Sequence, residues 1–187
     1  MSRLRIPQRT RIYLGCEGPS EQSYGAVVGQ IADRCGLHLY IDNDVLQPGA
    51  GDPLALVERA IQRIRKRERN RGVFAHRAIL LDRDKVGQSP DRDRRIAPLA
   101  AEDGLVLIWQ SPCYEGFLLR HFEGHQTARP QTSDLAMQAL RRVWPDYYKA
   151  MSASQLATRI DITAVRRAAV SDLQFAAFLD QIGLPRI

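Results

Sequence analysis

Apolar residues recur along this chain in two alternating rhythms. Short and mostly apolar runs, "RIYLGC" (11–16), "AILL" (78–81) and "LVLIW" (105–109), are separated by longer stretches in which apolar side chains return at helical spacing. Runs of the first kind predict strands covered on both faces, as in a parallel sheet. In the longer stretches Tyr24, Val27, Val28 and Ile31 share one helical face, with Gly36 as terminator. Leu54, Val57, Ile61 and Ile64 share another, in a helix capped by Asp52, opened by Pro53 and running to about Gly72. "LHLYIDNDVL" sets Leu37, Leu39 and Ile41 against His38, Tyr40 and Asp42, which predicts a strand with one wet face. "SPDRDRRIAPLAAEDG" reads as a broken helix and "PCYEGFLLRHFEG" as a single one; beyond the loop "HQTARPQTSD", the remainder reads as two or three helices without a strand. Strands alternating with helices imply right-handed crossovers and an α/β sandwich around a mostly parallel four-stranded sheet. The chain divides into a basic N-terminal arm (1–10), an α/β core (11–125) and a helical C-terminal extension (126–187).

At 187 residues the chain suits one domain with a true core, burying roughly 70% of the surface its unfolded form exposes. Lys and Arg total 27 against 21 Asp and Glu, a net charge of +6. Lysine occurs only at 66, 85 and 149, so 27 − 3 leaves 24 arginines. This bias has two readings: a GC-rich coding sequence, or a polyanionic partner whose phosphate oxygens match the guanidinium fork. Cys16, Cys35 and Cys113 are odd in number, far apart and without a Cys-x-x-Cys, which excludes a disulfide framework and a zinc knuckle. The basic start "MSRLRIPQRTR" lacks the apolar region of a signal peptide, and no segment has the apolar length of a bilayer span. A cytoplasmic protein without membrane contact is the expectation.

The candidate chemistry lies where apolar runs end on acids. In a parallel sheet all strand ends of one sense share an edge. Glu17 follows the first run, and Asp82 and Asp84 follow the third. If those strands are neighbours, as in a flavodoxin-like order beginning 2-1-3, only about 5 Å separates them. Two like charges about 4 Å apart repel by about 4 kcal/mol at an effective dielectric near 20, so shifted pKa values or a bound cation must offset the cluster. Oxygen-only ligands favour Mg²⁺ or Mn²⁺, which beside a phosphate can activate water and stabilise the leaving oxygen. Asp42-Asn43-Asp44 is a second Asp-x-Asp, discounted because it starts on the polar phase of an alternating strand. Strand alternation sends Arg83 away from Asp82 and Asp84, leaving Lys85 as the better-aimed cation for a scissile phosphate. Arg59, Arg63, Arg67 and Arg71 recur every four residues, either as a nucleic-acid-binding stripe or as a solvated helix face. "PGAGDP" lacks the Gly-Lys-Ser/Thr of a Walker loop, so ATP is not expected to bind this chain.

Strand–Glu17–Gly18 followed by a strand ending in Asp82-x-Asp84 resembles the Toprim domain of topoisomerases, primases and OLD-type nucleases. "CEGPSEQSY" is similar to the Glu-Gly-x-Thr-Glu form of OLD-like members, with Ser20 for Thr and Glu21 as the second acid. "SPCYEGFLLRHF" resembles the Asn-Pro-Cys-Phe-Glu…His-Phe box of RloB-like proteins, as do "GAGDPLALVERA" and the late "DYYK". Ser111 stands where that box has Asn, and Gly116–Phe117 replaces a bulky pair. The resemblance implies a Toprim-like three-layer sandwich and a Mg²⁺-dependent nuclease of bacterial anti-phage or abortive-infection systems, working on RNA or DNA with an ABC- or AAA-type ATPase. It casts Glu17 as general base or metal ligand, Asp82 and Asp84 as metal ligands, and Glu21 and Glu115 as ligands of a second ion. Helix capping remains an equal role for Glu21. His121 belongs to the box as a phosphate contact or, more simply, as a packed histidine; His125, four residues on, does not complete a zinc motif. A second copy of the chain is a further candidate partner. Two alternatives stand beside this reading: a non-catalytic subunit that binds an ATPase or nucleic acid, and a housekeeping RNA-processing ribonuclease.

Overall fold

The computed structural model describes residues 8–46 and 51–186. β1 (Thr10–Cys16), α1 (Pro19–Arg34), β2 (Leu39–Val45), α2 (Pro53–Arg71), β3 (His76–Asp82), α3 (Pro90–Glu102) and β4 (Leu105–Gln110) alternate along the chain. All strand pairs are parallel, in the order β2-β1-β3-β4. The fold is an α/β sandwich with helices on both faces, consistent with the Toprim-like layering expected. Placing β1 beside β3 puts the topological switch point, where α/β sheets bind ligands, at the carboxyl ends of these two central strands.

Period-two alternation decides which way each strand end points. Ile12 and Leu14 of β1, Ala78 and Leu80 of β3 and Ile108 of β4 join one core with α1. Tyr13, Ile79, Leu81, Leu105 and Leu107 join the opposite core under α2 and α3. Asp82 continues the phase of Leu80, and Gln110 that of Ile108, so both emerge on the α1 side.

The rest of the chain is α4 (Tyr114–Leu119), α5 (Ser133–Val143), α6 (Ala153–Leu156), α7 (Ile162–Ala169) and α8 (Leu173–Gln181). These helices are no appendage. Phe117, Trp144, Val165, Phe175 and Phe178 belong to the same core as Ile12 and Leu80, so packing runs unbroken across residue 125.

Three expectations are corrected. The expected break in α3 is absent: Pro98 sits inside a continuous helix. Its side chain is exposed, so the lost backbone bond falls where water replaces it. The single helix expected over "PCYEGFLLRHFEG" ends at Leu119. The amides of Arg120, His121 and Phe122 instead bond carbonyls three residues back, a tightened turn that carries Arg120 and His121 inside. The C-terminal region holds four helices after α4, more than the two or three expected, because α6 is a single turn closed by the Ser152–Gln155 capping box. Residues 47–50 of the loop "QPGAGDP" and residues 1–7 of the basic arm lie outside the described residues. Among the described residues no helix is long and apolar enough to cross a membrane.

Candidate metal centre at the carboxyl edge of the sheet

Five carboxylates meet where β1 and β3 end. Glu17, one residue past β1, turns toward the neighbouring strand, and its Oε2 accepts a hydrogen bond from the Asp82 amide at 3.3 Å. Glu21, in the first turn of α1, is buried and accepts from the Gly18 amide at 3.1 Å. Glu115, in the first turn of α4, accepts from the Cys113 thiol at 3.2 Å and the Tyr147 hydroxyl at 3.3 Å, with Lys149 Nζ 3.9 Å away. Gly51 lies over the rim with φ +62, a left-handed conformation that favours glycine, and a Cβ there would come within 2.5 Å of Lys85 Nζ and 3.1 Å of Glu17 Oε1.

These acids feel one another. Burial, followed by Glu21, Glu17, Asp84 and Glu115, pushes the Asp82 carboxyl up to about 9. Burial and the charges of Glu17 and Glu115 raise Glu21 to about 7 against the pull of its backbone hydrogen bonds. Glu17 is also raised, chiefly by burial and then by Asp84, against the lowering influence of the Asp82 amide and Lys85. Asp82 therefore holds a proton at neutral pH unless a cation replaces it.

Several polar atoms in this corner lack hydrogen-bond partners among the described residues: Asp82 Oδ1, both side-chain heteroatoms of Gln110 and the Tyr114 hydroxyl. Gln110 is 0% exposed and lies opposite Asp82 in the β3–β4 register. Each buried orphan costs about 1–3 kcal/mol, so a cluster of them points to a function that the fold alone does not explain. An oxygen-only donor set with an unpartnered carboxylate oxygen fits a hard divalent cation. Among the described residues no group of three or more His, Cys, Asp or Glu side chains is arranged to hold a metal ion.

Strand-end reasoning reached Glu17, Asp82 and Asp84, and the motif box reached Glu115. It missed Gln110, although the period-two pattern of "LVLIWQ" marks it as the polar residue in phase with Ile108. It also missed Tyr147, which the "DYYK" stretch carries to Glu115.

Other candidates lie elsewhere. His121, expected as a nucleic-acid contact, is fully buried: its Nε2 is 2.8 Å from the Tyr24 hydroxyl and its Nδ1 3.1 Å from the Phe117 carbonyl oxygen. Burial holds it neutral, with its pKa lowered to about 3, so it packs the core and reaches no phosphate. Three arginines of the α2 stripe are bonded to β2 and the residue after it, whereas Arg71 is exposed. Arg63 bonds Asp44 at 2.6 Å, Arg67 bonds Asp42 at 2.5 Å and Asp44 at 2.8 Å, and Arg59 bonds the Leu46 carbonyl at 2.6 Å. Those side chains anchor α2 to β2, a role within the fold, while Arg63 and Arg67 stay partly exposed. Arg83 lies over Trp109, its guanidinium carbon 5.9 Å from the ring centre.

A family model described as "RloB-like protein" matches residues 12–177. The chain belongs to the RloB-like family. No curated protein and no solved structure matches it. The match includes both acid-bearing central strands and the box around Glu115. Within that box of this RloB-like protein, Gly116 has a steric reason: a Cβ would sit 2.6 Å from the Ser111 carbonyl oxygen and 2.7 Å from Pro112 Cδ.

Proposed function

We propose that this RloB-like protein is a divalent-metal-dependent nuclease with a Toprim-type core, hydrolysing phosphodiester bonds in RNA or DNA. The supporting observation is Asp82: a carboxyl at the switch point of a parallel sheet, with an unpartnered oxygen, among four other acids. Glu17, Asp82 and Asp84 would hold Mg²⁺ or Mn²⁺, with Glu21 and Glu115 beside them. Such an ion, when bound, lowers the pKa of water and offsets charge developing on a phosphodiester. Glu17, whose carboxyl burial raises, is the acid placed to take a proton from an attacking water if it is not itself a ligand. Asp82 must release its proton before it can ligate, so ion binding is coupled to proton release. Lys85, beside Glu17 at the Gly51 crossing, would neutralise a phosphate oxygen.

The family resemblance supports a role in anti-phage or abortive-infection defence with an ABC- or AAA-type ATPase as partner. The test is cleavage of a panel of tRNA, plasmid and single strands in Mg²⁺ and Mn²⁺, with and without such an ATPase. Metal-dependent cleavage lost in Asp82→Ala supports the proposal, and cleavage unchanged in that variant rejects it. A second reading, a non-catalytic subunit that binds an ATPase or nucleic acid, draws on the departures at Ser111 and Gly116–Phe117 in the box and on the helical C-terminal region as a docking surface. It predicts no cleavage on any substrate in the panel.

A further inference from the structure

A second polar corner lies beyond β4, on the other side of the same strand ends. A pocket of about 460 Å³ opens there, lined among others by Arg83, Trp109, Ser111, Arg120, Arg129 and Asp172. Five separate segments build it. Arg83 follows β3, Trp109 is the penultimate residue of β4, Arg120 closes α4, and Asp172 caps α8. Arg129 comes from the loop before α5 and is pinned by its own bonds to the carbonyls of Ala128 at 3.0 Å and Ser171 at 2.8 Å.

Arg120 is the unusual member. Its guanidinium is 1% exposed, yet Nε and Nη2 have no hydrogen-bond partner among the described residues. Its ion pair with Asp172, at 3.6 Å, is too long to count as a hydrogen bond. Burial, with the neighbouring Arg129 charge, lowers its pKa to about 10, which still leaves it cationic at neutral pH. A buried fork of donors without acceptors is costly unless an anion completes it. Asp172 is already engaged, since its carboxylate also accepts from the Phe175 amide at 3.0 Å. Three guanidiniums against one carboxylate leave the pocket two charges positive, and the half-buried Trp109 ring supplies an apolar wall beside them.

We infer that this pocket binds the phosphate group of a nucleotide unit, with Arg120 as the buried fork, Arg83 and Arg129 at the mouth and the nucleoside against Trp109. Planar bidentate donors match phosphate oxygens, whereas chloride offers no such geometry. The inference goes beyond the nuclease reading and stands without it, because none of the five clustered acids contributes to the pocket.

The test uses the full chain carrying Trp144→Phe, which leaves Trp109 as its tryptophan, since the chain has two. Its fluorescence is followed while inorganic phosphate, a nucleoside 5′-monophosphate or a short single strand without a terminal phosphate is added at constant ionic strength. We expect saturable binding of at least one of these. Preference for the monophosphate marks a free nucleotide or strand end as the source, and preference for the single strand marks an internal phosphate. Arg83→Ala, at an exposed position, should weaken binding at least tenfold, and Arg120→Lys, which keeps the charge but not the fork, should do likewise. Both should leave Mn²⁺ binding unchanged, while Asp82→Asn should leave phosphate binding unchanged. A response no different from that to sodium chloride, or saturable binding undiminished in both arginine variants, overturns the inference whatever the outcome for the metal centre.

Discussion

Two Asp-x-Asp stretches end neighbouring regions of one sheet, Asp42-Asn43-Asp44 on β2 and Asp82-Arg83-Asp84 at the end of β3. Local sequence barely separates them, and their surroundings are opposite. Asp44 is buried against Arg63, Arg67 and the Tyr13 hydroxyl, the last at 2.9 Å. Asp42 pairs with Arg67 and lies 3.8 Å from Arg11. Asp82 meets four acids, and its carboxyl rises to about 9. The first pair is neutralised by the protein itself and fastens α2 to the sheet. The second pair carries no such arginine clamp among the described residues, and under the proposed function a bound cation would take that place. An acidic motif thus becomes a candidate site through the charges that its fold withholds from it.

The largest expected break in this comparison is catalytic. Asp82→Ala should reduce metal-dependent cleavage at least about 100-fold while the protein stays folded, whereas Asp44→Ala should leave cleavage per folded molecule nearly unchanged. Comparable losses in both variants would erase the distinction. The next effect is on stability and runs the other way. Asp44→Ala strips two guanidiniums and a buried hydroxyl of their partner. It should cost about 2–3 kcal/mol in urea unfolding, below the full penalty of a buried pair because Arg63 and Arg67 remain partly exposed.

The packing around the candidate site gives a third expectation. Gly116→Ala should destabilise by about 1–3 kcal/mol, since the Ser111 backbone cannot yield easily. A milder cost would show that the turn before α4 is looser than its contacts indicate.

The smallest effect is in the pH dependence of the cation-free protein. Asp82 has its pKa raised in the fold from 3.8 to about 9, so its favourable contribution is complete below about pH 4 and is lost as pH climbs toward 9. Asp82→Asn, a neutral mimic of the protonated acid, should match wild type near pH 4 and exceed it by about 1–2 kcal/mol at pH 9. Parallel pH profiles for the two proteins would show that Asp82 is not held protonated.

Much of this was legible before any coordinates. "AILL" and "IYLGC" are apolar on both faces because they are central strands, and burial on both sides leaves no room for a polar phase. That same pattern aimed Glu17 and Asp82 at one edge. Features set by tertiary packing were not legible. Leu118 and Leu119 would have continued α4 on local pattern alone, but the buried Arg120 and His121 turn the chain inward. The every-fourth-residue arginines of α2 left a partner stripe and a solvated face both open, because the acids that pair with Arg63 and Arg67 come from β2, some twenty residues earlier and on another element. Gln110 escaped notice because its meaning depends on standing opposite Asp82, a pairing that only the strand order supplies.

The most direct test is calorimetric titration of Mn²⁺ into the wild-type protein, Asp82→Asn and Asp44→Ala at neutral pH. Saturable binding with proton release in wild type, abolished in Asp82→Asn and retained in folded Asp44→Ala, is the predicted result. Absence of saturable binding in folded wild type, or equal binding after Asp82→Asn, would contradict the claim that this acidic rim is built for a divalent ion.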